Sequence, residues 1–293
     1  MMSTGEIVRQ IRLAKGLRTK YIYNGLMTQP TSSEYERGKS EVKISKLIII
    51  IERLNLEFSE FIFLFKREND RFLLYKKYHQ RLLRAFQNSN EVELRLIHQN
   101  IMNLAEFNKL TRFTNLGLVA SCMIKELASE KESFSFEKTS ITEYLIGIKT
   151  WGKYEYQLLV ETLFMYNEND LRQLLDQQRC KELCNNQNGA SLGQAKVKLL
   201  AAIIIKLIKL NQYKEHKDLL AILNEIKIPK DDLYSKFYIS FIIGLDLFEG
   251  GNLAEGTKII STTLDYCQEF KMNSLEQELV ENLKSCLASK LLS

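Results

Sequence analysis

Only two prolines, Pro30 and Pro229, occur in 293 residues, and there are only 13 glycines. A strand-rich chain needs turn residues about every 8–12 positions, and this one lacks them. Long stretches free of breakers favour helix, so the spacing predicts an all-α fold. At 45% apolar composition the chain can bury one large core or two smaller ones.

The first 65 or so residues divide into five short helices. Ile7, Ile11 and Leu17 mark the inner face of the first, which Gly16 ends. A second covers about 20–24, and Gly25 makes the turn. A third starts near Thr28, whose hydroxyl can cap it, with Pro30 in the first turn and Gly38 at the end. The fourth covers about 44–54 with Ile44, Leu47, Ile48 and Ile51 as its apolar face. The fifth is capped by Ser59 and carries Phe61, Ile62 and Phe65. Short helices with a tight turn between the second and third describe a helix-turn-helix domain.

Beyond residue 66 the helical patterns lengthen and come in pairs, near 70–87, 91–108, 112–130, 137–150, 153–166, 168–184, 191–211, 213–226, 232–249, 252–270 and 273–291. Two helices per 35–45 residues or so is the period of an α-solenoid, with a plain helical bundle as the alternative. Gly244, the Gly250-Gly251 turn and Ala254 provide small residues where two paired helices can approach, as in a tetratricopeptide unit. The expected organisation is 1–66 for a DNA-binding domain and 67–293 for a helical-repeat domain.

Charge follows the same division. Nine Lys or Arg through Lys46 face four acids, so this segment holds the whole +5 excess. A basic module on a near-neutral body suits a polyanion partner. Within it, residues 28–40 read TQPTSSEYERGKS. Polar side chains near the start of a short helix can meet base edges in a major groove. Gln29 can bond bidentately to adenine. Thr31, Ser32 and Ser33 can bond bases or phosphates, and Glu34 can accept from cytosine N4. Arg37, Lys39 and Lys43 suit phosphates, as do Arg9, Lys15 and Arg18 from the first helix and its exit.

Residues about 5–65 resemble an Xre-type, lambda-repressor-like helix-turn-helix. More closely, RTKYIYNGLMTQPTSSEYERGKS resembles the matching stretch of the Rgg/GadR/MutR regulators, in which Ser-aromatic-Glu-Arg-Gly closes the recognition helix, here Ser33, Tyr35, Glu36, Arg37 and Gly38. WGKYE at 151–155 resembles a run in that family's regulatory domain, so the likeness spans both halves. The resemblance implies a homodimeric, peptide-controlled transcriptional regulator of the quorum-sensing kind. Its tetratricopeptide-like body would bind a short signalling peptide on the concave face and its heads a near-palindromic promoter site on double-stranded DNA. It also implies a structural ion pair between Arg12 and Glu36. Ten residues past the tryptophan, some relatives place an Asn on the concave wall, where this chain has Glu161. Glu161, Tyr154 and Phe164 are the candidate peptide contacts, with a solvated outer-face Glu161 as the bland alternative. Trp151, Tyr154 and Tyr156 are otherwise read as core packing.

Other chemistries find no footing. His79, His98 and His216 have no metal-like spacing, and there is neither a Gly-rich phosphate loop nor a nucleophile elbow. The five cysteines form no disulfide framework; Cys180 and Cys184 are read as reduced thiols on one helix. No cofactor, metal or enzymatic activity is expected. The N-terminus lacks an apolar signal region and the run 47–51 is too short to span a bilayer, which assigns the chain to the cytoplasm without a membrane partner. Lys206 and Lys209 are taken to mark the wet side of the apolar helix LLAAIIIKLIKL. A helical-repeat interaction scaffold without DNA binding is the competing reading, favoured by the acidic Glu34.

Overall fold

The structure, a computed structural model, describes residues 2–69, 71–108, 110–129, 134–176, 180, 182–183, 189–210 and 213–291. Every regular element among the described residues is helical. The chain divides into two compact units, Met1–Gly117 and Leu118–Ser293. The expected helix over 168–184 falls partly outside the described residues, as do Cys184 and positions 185–188 of the break after it.

The first unit opens with α1 (Thr4–Ala14), α2 (Thr19–Tyr23), α3 (Gln29–Glu36), α4 (Ile44–Arg53) and α5 (Phe58–Arg67), followed by α6 (Arg71–Gln87), α7 (Glu91–Asn108) and the start of α8 (Thr111–Leu127). A capping box starts α1: Glu6 N–H donates to Ser3 Oγ, and Ser3 N–H donates to Glu6 Oε2 at 2.8 Å. Gly25 makes the turn between α2 and α3 at φ 73°, a conformation that favours glycine. A different constraint acts at Gly5. A Cβ there would lie 1.8 Å from the carbonyl oxygen of Tyr35, so α1 and α3 meet backbone to backbone. Ile7, Val8, Ile22, Tyr35, Ile50 and Leu54 form the core beneath them.

Three local expectations change. The inner face of α4 consists of Leu47, Ile50 and Ile51, whereas Ile44 and Ile48 are exposed. The cap of α5 is Glu57, paired reciprocally with Glu60, and not Ser59. Thr28 is the N-cap residue of α3 but makes no side-chain cap; its Oγ1 lies 2.9 Å from Thr31 Oγ1 instead.

The second unit holds the rest of α8, then α9 (Ser135–Gly147), α10 (Lys153–Thr162) with a 3₁₀ turn at Leu163–Met165, and α11 (Glu168–Leu174). It ends with α12 (Gly189–Lys209), α13 (Tyr213–Glu225), α14 (Leu233–Glu249), α15 (Leu253–Glu269) and α16 (Asn273–Leu291). α12 packs against α10, α13, α14 and α16. That explains LLAAIIIKLIKL: a helix surrounded by helices has no wet stripe to keep polar. Lys206 is no exception. It is half-buried, its ammonium donates to the Leu163 carbonyl at 2.6 Å, and burial pushes its pKa down.

α14 and α15 form a tetratricopeptide-like hairpin through Gly250 and Gly251. Gly244 on α14 stands at their close approach as expected, but its partner on α15 is Gly256, not Ala254, which is exposed. A Cβ on Gly256 would stand 2.5 Å from the Phe248 nitrogen and 2.7 Å from the Gly244 oxygen. Backbone cannot yield as a flexible side chain can. Gly256→Ala is expected to destabilise the second unit by about 3 kcal/mol. Gly193→Ala, where nothing lies within 4 Å, should stabilise α12 by up to about 1 kcal/mol. Urea unfolding of both variants reads the contrast.

Candidate nucleic-acid interface

The amino-terminal half of α3 presents polar side chains to solvent because its other face is spent on the core. Ser32, Tyr35 and Glu36 are buried, and their i, i+3, i+4 spacing places them on one side. Gln29, Thr31 and Glu34 are exposed and Ser33 is half-buried. Ser32 therefore leaves the set of base-reading candidates. It is 1% exposed and its hydroxyl donates to the Gln29 carbonyl at 2.9 Å.

What holds this helix is a buried polar cluster. Arg12 Nε and Nη2 donate to Glu36 Oε1 and Oε2, each at 2.7 Å, a bidentate fork. Arg12 Nη1 donates to the Leu17 carbonyl at 3.0 Å. Tyr23 supplies a third member, its phenol donating to Glu36 Oε1 at 2.9 Å. Burial and the neighbouring carboxylate push the Tyr23 pKa far up, so it stays a donor. The hydrogen bond with Glu36 likewise raises the Arg12 pKa. Burial pushes Tyr35 up to about 12. α1, α2 and α3 thus converge on one carboxylate.

Two further cations tie helix ends. Lys15 Nζ donates to the carbonyls of Leu54 at 2.7 Å and Asn55 at 3.1 Å, where α4 ends. This removes it from the phosphate candidates, since its charge already serves the negative end of α4. Arg53 Nη1 donates to the Ile22 and Asn24 carbonyls, both at 2.8 Å, and so clamps the exit of α2. Sequence reasoning did not find Arg53; its only signal was a cation in the last turn of α4. Arg9, Arg18, Arg37, Lys39 and Lys43 are all exposed. A notch of about 270 Å³ beside Gln29 is lined also by Lys20, Asn24 and Met27, residues that the sequence motif did not single out.

In the second unit, Tyr154 and Glu161 lie seven residues apart on α10, hence on one face, and Phe164 lies in the 3₁₀ turn after it. All three are half-buried. Glu161 Oε1 accepts from Gln157 Nε2 at 2.8 Å. Tyr154 packs edge-on to Tyr144, and Phe164 edge-on to Phe134. Trp151 and Tyr156 belong to the core, edge to face at 5.9 Å, and the indole N–H donates to the Leu145 carbonyl.

Residues 94–281 match the family model described as HTH-type transcriptional regulator Rgg, C-terminal domain, well over half of the chain. Among solved structures, the chain is similar to one described as a transcriptional regulator from Listeria monocytogenes EGD-e, with 18% identity over 98% of both chains and a TM-score of 0.76. It is similar to the SHP pheromone receptor Rgg2 of Streptococcus dysgalactiae, with 17% identity over 96% of this chain and 99% of that one and a TM-score of 0.73. A third likeness is to PrgX in its complex with cCF10, with 16% identity over 99% of this chain and 94% of that one and a TM-score of 0.75. These likenesses place the whole chain, both helical units included, in one fold.

Removing one partner of a buried pair strands the other. With side-chain exposures of 11% and 8%, Arg12→Met should cost about 3 kcal/mol. Tyr23→Phe leaves the fork intact and should cost about 1 kcal/mol. Chemical denaturation of the two variants beside wild type checks the ratio.

Proposed function

Because the chain belongs to the Rgg family of HTH-type transcriptional regulators, we propose that it reads promoter DNA with α3 and is controlled by a short peptide. Residues 1–66 are assigned to DNA reading and 67–293 to ligand control and dimerisation. The observation that carries the reading is a polar helix face freed from packing duty, with exposed cations around it. Gln29, Thr31, Ser33 and Glu34 are the base-reading residues, and Arg9, Arg18, Arg37, Lys39 and Lys43 take phosphates. A homodimer would carry two copies of α3 about one DNA turn, roughly 34 Å, apart on a near-palindromic site. Phosphate neutralisation supplies most of the affinity and its salt dependence.

The peptide part rests on the relatives: one solved neighbour is described as a pheromone receptor and another as a complex with cCF10. Glu161, Tyr154 and Phe164 are assigned to the peptide-binding wall. A carboxylate at 161 favours a basic side chain or a free peptide amine. The ligand acts by binding one arrangement of the two reading heads more tightly than another.

A gel-shift titration on promoter DNA across a salt series tests the reader. Gln29→Ala should lose about 1–3 kcal/mol on the preferred site and little on others, whereas Arg37→Ala should weaken all sites alike and reduce the salt slope by about 1. A scaffold without DNA binding would shift nothing even at low salt. Calorimetric titration with candidate peptides should show weaker binding for Glu161→Gln; unchanged affinity removes Glu161 from the wall.

A further inference from the structure

The notch between α2 and the start of α3, about 270 Å³ in volume, has a rim and a floor of opposite character. Lys20, Asn24 and Gln29 line it as exposed residues and form a polar rim. Tyr23, Met27 and Ser32 line it as buried or half-buried residues and form the floor. Two of those three have no hydrogen left to offer. The Tyr23 phenol donates to Glu36, and the Ser32 hydroxyl donates to the Gln29 carbonyl. What the floor presents to a visitor is therefore the Met27 thioether and the side of a phenol ring. Met27 stands one position before Thr28, the N-cap residue of α3, and packs in part on the core of the first unit. A hydrogen-bonding base edge gains nothing from such a floor, whereas a methyl group does.

We infer that this notch seats the 5-methyl group of a thymine and that Met27 is the residue that reads it. The inference rests on the DNA reading proposed above and adds a specificity element to it. The one apolar group in the major-groove code is the thymine C5-methyl, and an A·T pair presents it on the same edge as adenine N6 and N7. Gln29 and Met27 line a single notch, so they divide that edge between them. The carboxamide takes the hydrogen bonds and the thioether takes the methyl. An unbranched, polarisable side chain adapts to the shape of what enters, which suits methionine to the task. Lys20 on the rim can hold an adjacent phosphate and so keep the base edge over the notch. Tyr23 belongs to the Arg12–Glu36 cluster, so one wall is fixed before DNA arrives and little ordering remains to be done on binding. Uracil offers the same hydrogen bonds as thymine and leaves the floor unfilled.

Gel-shift titration of the full chain tests it, on a duplex that the same chain enriches from a random DNA library. Each thymine of the enriched site is replaced in turn by deoxyuridine, which removes the methyl and keeps every hydrogen bond. At one position per half-site, in or beside the pair that Gln29 reads, the replacement should weaken wild-type binding about fourfold, the worth of one buried methyl. Met27→Gln, of similar length but polar, should bind the thymine and deoxyuridine duplexes alike. Met27→Ala should do the same and stands in if the glutamine disturbs folding, which circular dichroism and thermal melting read. The deoxyuridine scan of the wild type needs no variant. Wild-type binding that is indifferent to every replacement overturns the inference and leaves the DNA reading standing. A deoxyuridine effect that persists at full size in a folded Met27→Gln or Met27→Ala chain also overturns it, since the methyl is then read elsewhere. A chain that enriches no duplex overturns it together with the DNA reading.

Discussion

The Glu36 carboxylate sits at the carboxyl end of α3, the negative end of a helix, in a module proposed to meet a polyanion. Left alone, a carboxylate so buried would be costly. The Arg12 fork reverses that cost. Both carboxylate oxygens are met at 2.7 Å, Tyr23 takes a further lone pair, and one more guanidinium donor closes the α1–α2 loop on the Leu17 carbonyl. A lysine could neutralise the charge but could not supply three donors in a fixed plane. Together with the backbone contact at Gly5, this cluster fixes α3 from beneath. Its upper face is then free to be chosen for recognition, which is why a helix braced on a buried core can place Thr, Gln and Ser side by side there.

The fold class and the bounds of α3 were legible because both are local. Few breakers, helical spacing of apolar residues and Gly16, Gly25 and Gly38 at helix ends are properties of neighbours in sequence. What could not be read were contacts across 30 or 40 residues. Lys15 looked like a free cation beside DNA, yet it caps α4 through the carbonyls of Leu54 and Asn55. Arg53, which nothing in the sequence singles out, clamps α2. A long cationic side chain exposes nothing in sequence about the carbonyl it will find. Ser32 is a milder case: its place at i−3 and i−4 from Tyr35 and Glu36 was visible, but a run of similar hydroxyls disguised which one turned inward.

In the second unit the same division holds at the scale of helices. Pairing was visible from period and from the Gly250-Gly251 turn, whereas the apolar excess of α12 has no wet side at Lys206, contrary to the expectation from its lysines. That excess says nothing of a ligand, because it is consumed by the helices around it. Gly244 stands at the close approach as its sequence position suggested, but its counterpart on α15 is Gly256, two positions beyond the expected Ala254. Composition identifies small residues near a turn, but only the crossing of α14 and α15 decides which of them lies at the contact. Lys206 shows how packing reassigns a charge. Its ammonium satisfies the Leu163 carbonyl at the end of α10, three residues before Tyr166 and adjacent to Phe164, so α12 is wired to the segment assigned to the peptide.

These energies constrain how the proposed control can operate. Coupling between two sites in one protein is typically about 1–3 kcal/mol. Disrupting the Arg12–Glu36 pair would cost about as much as the upper end of that range, or more. A peptide bound on α10 would thus spend all of its differential affinity to disorder a single reading head. Moving two intact heads relative to one another needs only that one spacing be favoured over another. A tenfold preference for the operator requires about 1.4 kcal/mol, well within reach of a few contacts made in one arrangement and lost in the other. The rigidity of the first unit therefore argues that control acts on the geometry of the dimer and leaves α3 as folded in the unbound regulator as in the bound.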